Sequence, residues 1–186
     1  MDHPKTIPTD VRISRSPVRE PCVTLVGMAG TGKSTVGLAL ARELGWAHLD
    51  TDRLLEAYFG APLQMIFDQL GLADFLLAEE RLVSQLNVSR CVISTGGSVI
   101  YGPSAVERLK ELGPVVMLTA GLGTVRSRLE DASGRGLAIA PGQSLEALYA
   151  ERQPLYEAAA VLVVDTGESS AEDCVRAITR WLESVR

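Results

Sequence analysis

Eight consecutive residues match a phosphate-binding loop at every fixed position of the pattern G-x-x-x-x-G-K-[ST]. They read Gly27-Met28-Ala29-Gly30-Thr31-Gly32-Lys33-Ser34. The apolar run before this stretch predicts a buried strand, and the residues after it predict a helix. A strand–loop–helix unit points backbone N–H groups and the positive end of the helix dipole at an anion. We therefore predict that the loop binds a nucleoside triphosphate, the alternative being a glycine-rich turn that matches by chance.

Each residue type in this loop has an expected task. The glycines let the backbone curl around phosphate groups without Cβ clashes. Lys33 would reach the β- and γ-phosphates, and the Ser34 hydroxyl would bind Mg²⁺. The predicted nucleotide-binding residues of the loop and the following turn are Gly27, Gly30, Thr31, Gly32, Lys33, Ser34 and Thr35.

Two carboxylates follow the second predicted strand, in the sequence Leu49-Asp50-Thr51-Asp52. If the first two strands are adjacent, both carboxylates would point toward the phosphate-binding loop. One could hold Mg²⁺ through water, and the other could orient an attacking hydroxyl or accept its proton. Asp52 could instead be the N-cap of the helix that follows.

Three other stretches are weaker signals. The glycines of Ser94-Thr95-Gly96-Gly97-Ser98 would let a ligand approach the backbone closely, or they form a simple tight turn. Arg152 precedes a proline break and could clamp a carboxylate or phosphate, or it is a solvated surface arginine. Residues 131–142, rich in glycine and small side chains, could be a mobile lid or a plain surface loop.

Short apolar runs alternate with helical patterns along most of the chain. This alternation predicts a three-layer α/β fold, with five parallel strands buried between helices on both faces and ligands beyond the carboxyl ends of the strands. The predicted strands are 23–26, 47–49, 91–94, 115–118 and 161–164. The predicted helices are 34–44, 52–59, 62–70, 72–86, 103–112, 122–130, 144–159 and 171–185.

Length and composition exclude several classes of protein. The chain of 186 residues suits one domain, which we place at 21–186, after a polar and poorly ordered tail at 1–20. The net charge of −5 argues against nucleic acid as the main partner. No apolar run approaches the roughly 20 residues that span a bilayer, and no signal-peptide core is present. Three widely spaced cysteines indicate reduced thiols, so we expect a cytoplasmic protein without a membrane partner.

The motifs, taken in order, resemble the shikimate kinase family. They are G-M-A-G-T-G-K-S-T, L-D-T-D, I-F, T-G-G and R-x-P-L-Y, and the match runs from about Pro21 to the C-terminus. The resemblance implies a P-loop NTPase fold of the nucleoside-monophosphate-kinase type with a lid. It also implies an ATP- and Mg²⁺-dependent kinase, expected to be a monomer, that acts on a small hydroxylated acid.

On the nucleotide side, the resemblance assigns roles residue by residue. Lys33 matches the phosphate-loop lysine, Ser34 the hydroxyl that binds magnesium, and Asp50 the acid near the metal. Arg128 matches an arginine that stacks on adenine. Arg135 matches the lid arginine that closes over the phosphates and, with Lys33, belongs to the catalytic set.

On the acceptor side, Asp52 matches the catalytic acid that holds the acceptor hydroxyl. Gly96 and Gly97 match two glycines of the T-G-G-G loop that lie near the γ-phosphate and the substrate. Arg152 matches an arginine that binds the substrate carboxylate.

The departures from the family pattern also concern the acceptor. In F-R-x-x-E the arginine also grips the carboxylate of shikimate, but Leu76 stands in its place here and leaves Glu79, three residues on, without that neighbour. Ser98 replaces the third glycine, and the lid reads Arg135-Gly136-Leu137-Ala138 where the family has R-P-L-L. We count Leu76, Glu79 and Ser98 among the acceptor-site residues.

A bare carboxylate in a pocket is costly unless it is paired, and a substrate ammonium group would pair Glu79. We therefore slightly favour a hydroxy-amino acid such as L-homoserine, whose carboxylate Arg152 would hold. Glu79 could instead meet solvent, a Lys or Arg, or a proton, in which case shikimate is the alternative acceptor. Other small polyols or acids, a non-catalytic ATP-binding module, and a switch or motor ATPase also stay open. The last is disfavoured because the third strand runs into Thr95-Gly96-Gly97 and not into a Walker-B acid.

Overall fold

The computed structural model describes residues 20–131, 138–140 and 142–185. The predicted tail at 1–20 and the predicted lid at 131–142 therefore lie largely outside the described residues. The elements are β1 (Val23–Val26), α1 (Lys33–Leu44), β2 (Ala47–Asp50), α2 (Thr51–Phe59), α3 (Leu63–Ser84), β3 (Cys91–Ser94), a 3₁₀ turn (Val99–Tyr101), α4 (Pro103–Leu112), β4 (Val115–Thr119), α5 (Leu122–Asp131), α6 (Leu145–Ala159), β5 (Leu162–Asp165) and α7 (Ala171–Ser184).

The five strands form one parallel sheet in the order β2-β3-β1-β4-β5. The α/β fold with a five-stranded parallel sheet is therefore confirmed. The condition that the first two strands be adjacent is wrong, because β3 lies between β1 and β2 and pairs with both. Helix α1 packs on both β2 and β3 as it crosses between the strands. The start of α1 thus still reaches the end of β2.

Alternating side chains of the central strands fill two separate cores. Leu25 of β1 packs with Leu40 of α1 and Ile178 of α7 on one face of the sheet. Val26 packs with Leu109 of α4 and other apolar residues on the opposite face. The expectation that all strands are buried holds for β1 and β3 and for nearly all of β4. Strands β2 and β5 are partly exposed because they form the two edges of the sheet.

Most element ends agree with the sequence to within one or two residues. Helix α3 is interrupted at Gly71, whose φ of 71° and ψ of 172° are not helical, at the boundary between the two predicted helices.

Pro154 does not end α6, which continues to Ala159. Proline fits a helical φ and removes only one N–H donor, so neighbouring turns can hold the helix together. The 3₁₀ turn was not predicted.

Two further observations bear on the class of protein. The three cysteines are buried and unbonded, in agreement with reduced thiols. Across the described ranges, the helices lack the length and apolar character that spanning a bilayer requires.

Candidate active site

The phosphate-binding loop adopts backbone conformations that favour glycine. Gly27 has a φ of 139°, and a Cβ there would overlap the carbonyl oxygen of Leu118 on β4. Gly32 is the N-cap of α1 with a φ of 83° and no capping side chain. The first N–H groups of α1 therefore lack a side-chain acceptor and are available to an anion.

Lys33 lies inside the curl of this loop, with 8% of its surface exposed. Its Nζ donates hydrogen bonds of 2.8 Å to the carbonyl oxygens of Gly27 and of Met28. Thr31 Oγ1 donates to the same Met28 carbonyl at 2.8 Å. These bonds hold a cation at the place where the glycines and the helix N-terminus would receive phosphate groups.

Ser34 and Asp50 form an oxygen-rich pair between α1 and the end of β2. Ser34 Oγ donates a hydrogen bond of 2.7 Å to Asp50 Oδ2. Asp50 Oδ1 accepts from the backbone N–H of Asp52 at 3.0 Å, so Asp50 is the N-cap of α2. The alternative that Asp52 is only an N-cap is therefore wrong.

This pair of oxygen ligands fits Mg²⁺, which proteins usually bind through one or two carboxylates together with the oxygens of a bound phosphate. Within the described ranges, no group of three or more His, Cys, Asp and Glu side chains could hold a metal by itself. A magnesium ion here would therefore depend on the phosphate oxygens of a nucleotide for part of its coordination.

Gly96 is packed tightly between two carboxyl groups. Its N–H donates to Thr51 Oγ1 at 3.0 Å. A Cβ on Gly96 would overlap Glu79 Oε1 and would lie 2.5 Å from Asp52 Oδ1. The glycine is thus required for space, and it brings the carboxyl groups of Asp52 and Glu79 to one point beyond β3.

Glu79 is 1% exposed, and Ser98 Oγ donates a hydrogen bond of 2.6 Å to Glu79 Oε2. Glu79 Oε1 is buried and has no hydrogen-bond partner among the described residues. Burial raises the pKa of Glu79 to about 7, although the Ser98 hydrogen bond opposes this shift. Ser98, which stands in place of the third glycine, is thus the hydrogen-bond partner of one of the two carboxyl oxygens of Glu79.

Leu76 does not contribute a polar group to this site. It packs against an apolar cluster that includes Leu55, Ile66 and Phe75.

Arg152 is 1% exposed, so the alternative of a solvated surface arginine is wrong. Its Nη2 donates to the carbonyl oxygen of Ala138 at 2.5 Å, and its Nε donates to Tyr101 Oη at 3.2 Å. A Cβ on Gly97 would lie 3.2 Å from Arg152 Nη1. The guanidinium group therefore faces the second glycine of the pair, and its planar fork is suited to a carboxylate.

Two tyrosines that the sequence analysis missed complete this side of the site. Tyr156 Oη donates to the carbonyl oxygen of Gly97 at 2.5 Å, and burial raises the pKa of its hydroxyl. Its spacing of four residues from Arg152 on one helix was a usable signal. Tyr101, which contacts Arg152, gave no such signal because it lies in the unpredicted 3₁₀ turn.

Three predicted residues remain, and the structure places them differently. Arg128 links the phosphate-binding loop to the end of β5, since its guanidinium donates to the carbonyl oxygens of Thr166 at 2.7 Å and of Gly30 at 3.3 Å. Thr35 is exposed in the first turn of α1. Arg135 lies outside the described residues. The structure thus brings together the phosphate-binding loop, Asp50, Asp52, the glycine pair, Glu79 and Arg152 at one end of the sheet.

Comparisons with known proteins agree with this geometry. The family model for shikimate kinase matches residues 29–183. A shikimate kinase from Geobacter metallireducens is 38% identical over 164 residues, covering 87% of this chain and 91% of that protein. A shikimate kinase from Burkholderia pseudomallei is 37% identical over 164 residues, covering 87% of this chain and 89% of that protein.

Solved structures give the same result. Shikimate kinase from Acinetobacter baumannii in complex with shikimate has a TM-score of 0.82 and 32% identity, covering 90% of this chain and 95% of that one. Shikimate kinase from Aquifex aeolicus has a TM-score of 0.71 and 27% identity, covering 88% of this chain and 96% of that one. The chain therefore belongs to the shikimate kinase family, whose members are small-molecule kinases that use ATP with Mg²⁺.

Proposed function

We propose that this chain transfers the γ-phosphoryl group of ATP to a hydroxyl of shikimate, giving shikimate 3-phosphate and ADP in aromatic amino acid biosynthesis. The observation that carries this proposal is the buried guanidinium group of Arg152, which faces Gly97 at the end of the sheet where Asp52 lies. A cation there can hold the acceptor carboxylate while the acid holds the hydroxyl. The complex of the Acinetobacter baumannii relative with shikimate supports the same acceptor.

Shikimate is preferred here to L-homoserine for two reasons. The relatives named above are shikimate kinases, and none of them is described as acting on homoserine. An ammonium group would be needed to pair a bare Glu79 carboxylate, but Ser98 donates a hydrogen bond to one of the Glu79 oxygens. Burial also favours the protonated form of Glu79, which needs no cation.

On the nucleotide side, the backbone of the phosphate-binding loop and Lys33 would hold the phosphates of ATP. Ser34 and Asp50 would hold Mg²⁺, which neutralises negative charge on the phosphates when it is bound. Arg128 would contact the adenine. Arg135, on the proposed lid at 131–142, would close over the phosphates, and lid closure would exclude water and limit wasteful hydrolysis of ATP.

On the acceptor side, Asp52 orients the attacking hydroxyl and accepts its proton, while Arg152 fixes the carboxylate. Gly96 packs against Asp52 and Gly97 faces Arg152, so the acceptor would bind beside this glycine pair. The protein itself then acts mainly by positioning the two substrates and by placing positive charge around the transferred group.

The decisive experiment measures ADP release together with the mass of the product. MgATP is supplied with shikimate or L-homoserine at equal concentrations, and Lys33→Met, which we expect to abolish transfer, is the inactive control. Phosphorylated shikimate as the only product agrees with the proposal, whereas turnover on homoserine alone overturns it. ATP binding without product from either acceptor would favour a non-catalytic ATP-binding module.

We further propose that the chain acts as a monomer in the cytoplasm. One set of loop, acid and arginine residues lies within a single chain, so the proposed site needs no second copy. Sedimentation velocity at micromolar concentration would detect a dimer and so contradict this proposal.

A further inference from the structure

Glu79 is the buried acid whose role the proposed transfer does not yet explain. It lies on α3, and its carboxyl group reaches the backbone of Gly96. Ser98 satisfies Oε2, but Oε1 is buried without a hydrogen-bond partner in the described part of the chain. Native proteins rarely leave a buried polar atom in this state, because the lost hydration is not repaid.

Among the residues that the structure describes, no cation donates a hydrogen bond to Glu79. Asp52 on α2 is a second acid beside Gly96. Arg152 on α6 and Lys33 on α1 are close enough to favour the charged form of Glu79. However, Arg152 donates to Ala138 and Tyr101, and Lys33 donates to two carbonyl oxygens of the phosphate-binding loop. An acceptor carboxylate and the phosphates of ATP would add further negative charge to this site.

We infer that Glu79 contacts the acceptor as a neutral carboxylic acid, with Ser98 holding Oε2 and the proton on Oε1 donated in a hydrogen bond to an oxygen atom of the acceptor. This inference rests on the proposed function, since it concerns the acceptor of that same reaction. It makes Glu79 a specificity-determining residue that selects an acceptor oxygen at this position and disfavours an ammonium group. It also gives two of the three sequence departures one explanation, because apolar Leu76 leaves Glu79 uncharged and Ser98 orients it.

The inference predicts how acceptor binding depends on pH. Burial raises the pKa of Glu79 to about 7, so the protonated form predominates below this pH and is lost above it. If only the protonated form binds the acceptor, KM for shikimate rises about tenfold between pH 6 and pH 8. The Ser98 hydrogen bond stabilises the charged form. Replacing Ser98 by alanine should therefore move the midpoint of this rise to higher pH.

Steady-state kinetics at saturating MgATP test these expectations. Glu79→Gln keeps a hydrogen-bond donor that cannot ionise, so we expect its KM for shikimate to be independent of pH between pH 6 and pH 8. Glu79→Leu removes the donor, and its KM at pH 6 should exceed that of the wild type. A wild-type KM that is constant over this range overturns the inference. If the wild-type enzyme phosphorylates homoserine, loss of that activity in Glu79→Gln also overturns it.

A second measurement separates this inference from the proposed function. The infrared difference spectrum between wild type and Glu79→Gln, recorded without substrates, isolates the carboxyl group at position 79. We expect the carbonyl stretch of a protonated acid at pH 6 and its loss by pH 8.5. Its absence at pH 6 overturns the inference whatever the acceptor is, and its presence without turnover on shikimate counts against the proposed function alone. Circular dichroism of each variant verifies that it is folded.

Discussion

The guanidinium carbon of Arg152 lies 5.1 Å from the centre of the Tyr101 ring, and Arg152 Nε also donates a hydrogen bond of 3.2 Å to Tyr101 Oη. The Tyr101 hydroxyl in turn donates to Glu151 Oε1 at 2.7 Å. Gln143 Nε2 donates to the other oxygen of Glu151 at 2.6 Å. Tyr101 therefore ties the arginine to the residues that follow the proposed lid, and we regard it as a positioning residue for the acceptor carboxylate.

Removal of the Tyr101 hydroxyl should weaken acceptor binding more than catalysis. Tyr101→Phe keeps the ring but loses a hydrogen bond to a charged group, so we expect KM for shikimate to rise roughly tenfold with a smaller change in kcat. Tyr101→Leu also removes the cation–π contact, which contributes about 0.5–2 kcal/mol, and should raise KM further. Both variants are measured by initial-rate kinetics.

Tyr149→Phe is a matched control for this experiment. Tyr149, like Tyr101, packs against the core that contains Val26, but its hydroxyl donates to the carbonyl oxygen of Ala120 and does not contact Arg152. We expect a small loss of stability and no change in KM. A change of kcat alone in Tyr101→Phe would contradict the positioning role.

Loss of the Asp52 carboxylate should lower kcat and not only the affinity for the acceptor. Asp52→Asn keeps the shape of the side chain but removes the acid that would accept the hydroxyl proton, and loss of such a group costs about 10²–10⁴ in rate. We therefore expect kcat for ADP release to fall by at least about a hundredfold. Asp74→Asn, at an exposed position on α3, is the control for loss of one carboxylate. Near-normal turnover of Asp52→Asn would contradict the assigned role.

The nucleotide side of the site could be predicted because its residues are contiguous in the sequence. Gly32, Lys33 and Ser34 follow one another, and a strand–loop–helix unit brings them together at the start of α1 without help from distant residues. The sequence also predicts that Asp50 points toward the phosphate-binding loop, but on the condition that the first two strands are adjacent, which they are not. The structure shows a direct hydrogen bond between Ser34 and Asp50. It arises because α1 packs over β3, and the order of strands in a sheet cannot be read from the pattern of apolar runs.

The acceptor side could be predicted only as a set of separate residues. Sequence comparison with the family pattern identified both Leu76 and Ser98 as departures, but it gave no reason to connect Ser98 with Glu79. Their hydrogen bond joins α3 to the loop after β3, and the Tyr101–Arg152 contact joins the 3₁₀ turn to α6. Such contacts depend on how the helices pack, which local sequence does not determine.

Leu76→Arg should restore a cation on α3 three residues before Glu79. If the rest of the pocket resembles that of the family, a hydrogen bond to the acceptor carboxylate contributes about 1.5–3 kcal/mol and lowers KM for shikimate by about ten- to a hundredfold. The same arginine would stabilise charged Glu79 and lower its pKa, so the rise of KM should begin at lower pH and be larger between pH 6 and pH 8 than in the wild type. Initial-rate kinetics at pH 6 and pH 8 measure both effects.

Leu76→Met, which keeps an apolar side chain packed against the cluster of Leu55, Ile66 and Phe75, is the matched control. Thermal denaturation reports any loss of packing in Leu76→Arg. An arginine variant that is folded but shows no gain in KM would mean that the acceptor pocket differs from the family pattern at more positions than Leu76.

The stability of the protein should depend on pH through Glu79 even without substrate. Its pKa is raised from 4.5 in the unfolded chain to about 7 in the folded protein, chiefly by burial. Between these two pH values Glu79 is more often protonated in the folded state than in the unfolded state. The free energy of unfolding therefore falls as pH rises. The contribution is fully present below pH 4.5 and is lost by the time the pH exceeds 7. At 1.36 kcal/mol for each pKa unit, the loss amounts to about 3 kcal/mol.

Urea denaturation of wild type and Glu79→Gln from pH 4 to pH 8 measures this contribution, because glutamine fills the same space and does not titrate. We expect the free energy of unfolding of the wild type, relative to the variant, to fall by about 3 kcal/mol over this range and then to level off. Glu183→Gln, on the exposed side of α7, corrects for the removal of one surface charge. A difference that grows with rising pH would mean that a cation pairs with Glu79 in the folded protein, and Glu79 would then be charged when the acceptor binds.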